Sequence, residues 1–166
     1  MIALKLSDTK NFMSHLLLKD TFDNFMFIEG EIVTYATFTF DGYTQKDFFS
    51  LEEDADIHLE EFARWKKIKE LCFSIIKGKR TPLNFKFIFR LSPENVAKLI
   101  ERNELDFQPE TVQGLYLNLR FDNGNLQCVT GTSLKTFSLD KSLEHAWDSM
   151  VQRFFDQKEI AYELEV

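Results

Sequence analysis

Hydrophobic and polar positions alternate at two periods along this chain, and the changes between them mark its elements. Residues 2–6 alternate, with Ile2, Leu4 and Leu6 on one side and Ala3 and Lys5 on the other, which predicts a half-buried strand. Ser7 follows in an N-cap position, and Phe12, Met13, Leu16 and Leu17 then recur at helical spacing. The stretch FDNFMFIEGEIVTYATFTFDGY is β-rich. Ile32, Thr34, Ala36, Phe38 and Phe40 share one of its faces, Asp41-Gly42 carries the hairpin signal, and Gly30 reads as a turn or bulge.

A helix is predicted from about Trp65 to Ile76, with Trp65, Ile68, Cys72 and Phe73 facing inward. Gly78 suits the position just past its end, where a left-handed backbone costs glycine least. FKFIFRL then alternates as a strand, with Phe85, Phe87, Phe89 and Leu91 opposite Lys86, Ile88 and Arg90. Ser92-Pro93 opens the next helix, whose stripe is Val96, Leu99 and Ile100, and residues 103–111 form a loop. QGLYLNLRFD and LQCVTGTSL flank Asn123-Gly124 as a hairpin. A strand near Lys135–Leu139, an N-cap at Asp140, a helix over about 141–156 and an edge strand within 157–166 complete the reading.

The fold class expected is α+β, with helices packed on antiparallel sheets in a single domain over 1–166. Two tandem β-α-β-β-β-type halves, about 1–80 and 81–166, are suggested by Lys5-Leu6-Ser7 matching Arg90-Leu91-Ser92 and by the tryptophan-bearing helices at Trp65 and Trp147. Such tandem units resemble sliding-clamp processivity factors in element order alone. That resemblance implies basic helices facing nucleic acid. Here Lys10 and Lys19 are offset by Asp8 and Asp20, and Lys98 and Arg102 by Glu94, Glu101 and Glu104. Three segments, FMSHLLLKDTFD, CFSIIKGKRTPLNFKF and TGTSLKTFSLDKSLEHAWDSMVQRFF, resemble a family of bacterial proteins of unknown function. They span about a third of the chain. The resemblance implies one domain in a cytoplasmic setting and brings no catalytic residues with it.

Composition changes this picture in two places. Eighteen phenylalanines exceed ordinary usage and point to an aromatic core. Charge is segregated: 64–90 holds nine of the twenty Lys/Arg and a single acid, Glu70, whereas the whole chain is net −7. The acidic balance argues against indiscriminate nucleic-acid binding, yet it leaves room for a local basic face. Residues 47–61 carry seven acids and no Lys or Arg immediately before the basic stretch, so the two segments could neutralise each other.

The candidate ligand-binding residues are Lys77, Lys79, Arg80 and Thr81 of the KGKRTP turn, extended along the strand by Lys86 and Arg90. Tyr116, Asn118 and Arg120 could supplement them from a neighbouring strand face. The competing reading of the turn is cation clustering at a helix C-terminus, where the dipole favours it. No catalytic residue, metal ligand or cofactor is assigned. His58 sits in the acid run without metal-site spacing, and His15 and His145 read as partly exposed helix residues. Ser138-x-x-Lys141 lacks companion motifs, and GTS at 131–133 reads as a strand-end turn. Cys72 and Cys128 suit a reducing compartment, and neither a signal peptide nor a membrane span is predicted. The expected function is a non-enzymatic cytoplasmic binding or adaptor protein that meets nucleic acid, a phosphate-bearing ligand or an acidic protein. The alternatives are an enzyme acting on a small anion held by Lys79 and Arg80, and a self-associating homo-oligomer.

Overall fold

The computed structural model describes residues 1–49 and 59–165. Within them, four α-helices and seven strands make an α+β fold. The strands are β1 (Ala3–Leu6), β2 (Met26–Val33), β3 (Thr37–Asp41), β4 (Asn84–Arg90), β5 (Val112–Asp122), β6 (Asn125–Leu134) and β7 (Tyr162–Glu165). The helices are α1 (Thr9–Leu17), α2 (Trp65–Ile76), α3 (Pro93–Arg102) and α4 (Ser142–Gln157). All seven strands join one open antiparallel sheet in the order β3-β2-β4-β5-β6-β1-β7.

Period-2 alternation gives this sheet one apolar face. Phe85, Phe87 and Phe89 of β4, Leu115, Leu117 and Leu119 of β5, Leu126 and Cys128 of β6, and Leu4 and Leu6 of β1 are all buried there. The helices lay Phe12, Trp65, Val96, Trp147, Val151 and Phe155 into the same cluster. Each such side chain contributes about 1.5–3 kcal/mol by leaving water. The phenylalanine excess thus goes into packing: Phe12, Phe22, Phe27, Phe87, Phe89 and Phe155 are fully buried, and their rings meet one another at tilted and edge contacts. The opposite face carries Glu31, Lys86, Arg120, Gln127, Lys5 and Glu163 in one cross-strand row, and none of these belongs to the core.

Several local expectations are corrected. Asp8, not Ser7, caps α1, its carboxylate accepting from the Asn11 amide at 3.0 Å. The β2–β3 hairpin turns at Thr34–Ala36 rather than at Asp41-Gly42, because Ile32 and Phe38 must face each other to keep both on the apolar side. Asp41-Gly42 instead ends β3. Gly30 lies inside β2, pressed against the Phe87 ring, and the bulge falls between Phe27 and Glu29. No strand forms over 135–139. Phe137, 89% exposed, alternates with Leu139, but β5 ends its pairing with β6 at Leu134, so the next residues have no ladder to join. GTS lies within β6 instead of ending it. The tail strand does form, as β7 beside β1.

The order β-α-β-β-α occurs twice, in β1-α1-β2-β3-α2 and in β4-α3-β5-β6-α4. The pairing does not repeat. β4 lies against β5, the first strand of its own hairpin, whereas β1 lies between β6 and β7 of the other half.

Candidate functional site

The KGKRTP turn is built by the end of α2 and the start of β4. The last helical turn closes through the Lys77 amide to the Phe73 carbonyl at 2.8 Å. Gly78 then reverses the chain at φ +135°, open space surrounding the place a side chain would take. Pro82 is buried, and the Leu83 amide donates to the Val33 carbonyl at 2.8 Å, pinning the turn to the β2–β3 hairpin. These two connections create a cleft of about 560 Å³ lined by Tyr35, Lys77, Lys79, Arg80, Thr81 and Leu83 among others. Lys79, Arg80 and Thr81 are exposed, and the Lys77 ammonium lies 5.9 Å from the Phe73 ring. Tyr35, 93% exposed at the hairpin tip, joins them although the sequence pattern does not single it out. The β2–β4 ladder, which ends with Val33 opposite Asn84 and is extended by the Leu83–Val33 bond, brings it to the turn, so no local signal could have found it.

The other cations of 64–90 separate into different surroundings. Arg64 donates to Glu60 at 2.9 Å, to Glu94 at 2.7 Å and to the Asn24 carbonyl at 3.1 Å. This holds its guanidinium charged above an already high value, mainly through Glu60, and holds the Glu94 carboxyl low, mainly through Arg64. Lys69 donates to Asp23 at 2.5 Å, and Arg90 lies 3.4 Å from Glu61. The acid run therefore does neutralise part of the basic stretch, through Glu60 and Glu61. Most of that run, including His58, Asp54 and Asp56, lies outside the described residues.

Among the described residues, no carboxylate stands within 4 Å of Lys77, Lys79 or Arg80. Lys86 is exposed on the outer sheet face, with Glu31 opposite on β2 and Arg120 opposite on β5. Arg90 stands at the far end of β4, roughly 20 Å from the turn at the rise of an extended strand. The six candidate residues thus occupy three places: the turn, the open face and the far end. Tyr116 and Asn118 share that outer face with Arg90 and Ile88.

The remaining motifs have structural partners. His15 is buried rather than partly exposed, its Nδ1 2.7 Å from the Thr21 hydroxyl. Burial, with Lys19 and Lys158 nearby, lowers its pKa and favours the neutral ring. The Ser138 hydroxyl accepts from the Asp140 amide, and the Asp140 carboxylate accepts from the Ser142 amide at 2.9 Å. The N-cap of α4 is Lys141 rather than Asp140, because the first helical bond runs from the His145 amide to the Lys141 carbonyl at 3.0 Å. The tetrad thus forms the turn that leads into α4. Among the described residues, no cluster of His, Cys, Asp and Glu is arranged to hold a metal, and no helix is long and apolar enough to cross a membrane.

Burial pushes the thiols of Cys72 and Cys128 from 9.0 up to about 12. Both are free and buried, so an aromatic disulfide reagent at neutral pH is expected to label them only as fast as the protein opens. Their folded pKa lies above the unfolded one. The stability they contribute is complete below pH 9 and is lost as pH climbs from about 9 towards 12. Rapid labelling of either thiol in folded protein would contradict this burial.

Residues 15–163 match the model of DUF5721, a family of unknown function. The chain belongs to that family. The matched span includes the whole turn–hairpin cleft and every strand of the sheet except β1 and part of β7. Among the curated proteins and the solved structures no match is found, so the sliding-clamp resemblance gains no support from a structural neighbour.

Proposed function

We propose that this DUF5721 protein is a non-enzymatic, cytoplasmic binding or adaptor protein that captures a phosphate-bearing partner at the turn–hairpin cleft. One observation carries the reading. Arg64 and Lys69 are committed to acids of the same chain and Arg90 faces Glu61, whereas Lys77, Lys79 and Arg80 line one cleft together with the exposed Tyr35 and have no carboxylate partner among the described residues. Lysine supplies a point charge, arginine a two-pronged fork and Thr81 a hydroxyl, which together suit phosphate oxygens. Tyr35 adds a flat surface on which a base can stack, a combination that favours single-stranded nucleic acid. Glu60 and Glu61 already engage Arg64 and Arg90, which weakens the alternative of acid–base pairing between two copies. The buried, unpaired cysteines support a reducing compartment.

Fluorescence anisotropy with labelled single- and double-stranded oligonucleotides, over a salt series, tests the proposal. Wild-type binding should weaken with salt. Lys79→Ala/Arg80→Ala should reduce the log–log salt slope by about 1 for each phosphate no longer neutralised. Tyr35→Ala should weaken single-strand binding by about 1–3 kcal/mol and leave the salt slope unchanged. Absence of binding to either form at low salt would overturn the nucleic-acid reading.

A further inference from the structure

A second cleft, of about 520 Å³, opens at the far end of β4 and β5, beyond the turn and independent of its proposed role. Its chemistry centres on Arg90, whose side chain is only 13% exposed. The guanidinium lies 5.0 Å from the Phe62 ring, and its contact with Glu61 is long, at 3.4 Å, to a carboxylate that is 60% exposed. A well-seated arginine–carboxylate pair uses two parallel bonds of about 2.7–2.9 Å. Glu61 is therefore a loosely held occupant of a place suited to a better one.

The surrounding backbone is shaped for this arrangement. Tyr116 stands directly across the sheet from Arg90. Between them Gly114 presents no side chain: a Cβ there would lie 2.6 Å from the Tyr116 ring and 2.8 Å from the Arg90 side chain. The Trp147 indole N–H donates to the Tyr116 carbonyl at 3.2 Å and holds the strand from the core side. Lys135 lines the same cleft. Arg90 and Lys135 set against Glu61 leave one unit of positive charge, and the rest of the wall mixes apolar residues, including Phe62, Pro93 and Val96, with the polar Gln113 and Tyr116. A concave site that sets apolar residues beside a few convergent polar groups is the usual form of a small-ligand site.

We propose that this cleft binds a small organic carboxylate with an aromatic or branched apolar body, its carboxylate on Arg90 in place of Glu61. Glu61 then acts as an internal competitor that leaves when the ligand arrives.

Benzoate, titrated into the full chain and followed by amide NMR shifts, tests this directly. Saturable shifts are expected at Gly114, Tyr116 and Lys135, with none at Lys79 or Tyr35. Glu61→Gln should bind benzoate up to about fivefold more tightly, the scale of removing one exposed ion pair. Arg90→Gln should abolish binding. Lys135→Gln, on an exposed side chain that leaves the fold intact, should weaken it and decides the question if Arg90→Gln does not fold. Absence of saturable shifts in both wild type and Glu61→Gln at millimolar benzoate overturns the proposal, as does unchanged affinity in Lys135→Gln. Inorganic phosphate shifting the same amides with equal affinity overturns the carboxylate assignment. None of these results depends on oligonucleotide binding at the turn.

Discussion

Trp65→Ala is expected to cost about 3–5 kcal/mol of unfolding free energy, the range for emptying a fully packed aromatic site. Trp65 is wholly buried, with the rings of Phe27, Phe87 and Phe89 at 5.4, 5.3 and 5.0 Å from its own. It is where α2 meets the centre of the sheet. Its indole N–H also donates to the Leu16 carbonyl at 2.7 Å, tying the end of α1 to α2. The alanine variant thus opens a cavity and strands a buried carbonyl, two penalties that add. A domain of ordinary stability, about 5–15 kcal/mol, would lose a large share of it. Urea denaturation measures the loss. Trp65→Phe helps to separate the two parts, since it removes the hydrogen bond, worth about 1–3 kcal/mol, together with only a minor share of the buried ring volume. A loss below about 1 kcal/mol for the alanine variant would show that α2 is not anchored in this way.

Gly42→Ala should be nearly as damaging, for a backbone reason. A Cβ at this position would lie 1.9 Å from the Phe27 carbonyl oxygen. The atom in the way is main chain, which no rotamer change can clear. The Gly42 amide donates to the Ile28 carbonyl at 2.9 Å, and its own carbonyl accepts from the Ala63 amide at 2.8 Å. Relief of the clash therefore disturbs the start of β2, the end of β3 and the segment leading into α2 together. About 3 kcal/mol is expected, at the upper end of overpacking effects. Gly78→Ala is the informative comparison. It meets open space and has only an unfavourable positive φ to bear, so a loss of about 1 kcal/mol is expected there. Equal losses in thermal or urea unfolding would argue against close packing as the cause at Gly42.

Where a single element sufficed to impose a pattern, the sequence was legible. Alternation marked β1, β4, β5 and β6, because one face of each meets the core and the other meets water. Helical spacing located Trp65 and Cys72 in α2, and Val96, Leu99 and Ile100 in α3, for the same reason. Asn123-Gly124 marked its hairpin because both residues take positive φ, at 52° and 76°. The charge segregation was also plain, and with it the KGKRTP turn.

Only the tertiary structure decided which of those charges remain available. Arg64, Lys69, Lys79 and Arg90 look alike in a one-dimensional pattern. The partners Glu60, Glu94, Asp23 and Glu61 reach Arg64, Lys69 and Arg90 through the way the segments fold together. The same holds for the hairpin at Thr34–Ala36, for Tyr35 beside the turn, and for the absence of a strand over 135–139. The sequence by itself determined which residues prefer water and which turns are sterically open, since those are properties of side chains and local backbone. Which strands pair, which acid reaches which base and which clefts remain between them depend on contacts between distant segments, and those exist only once the single sheet has closed its order.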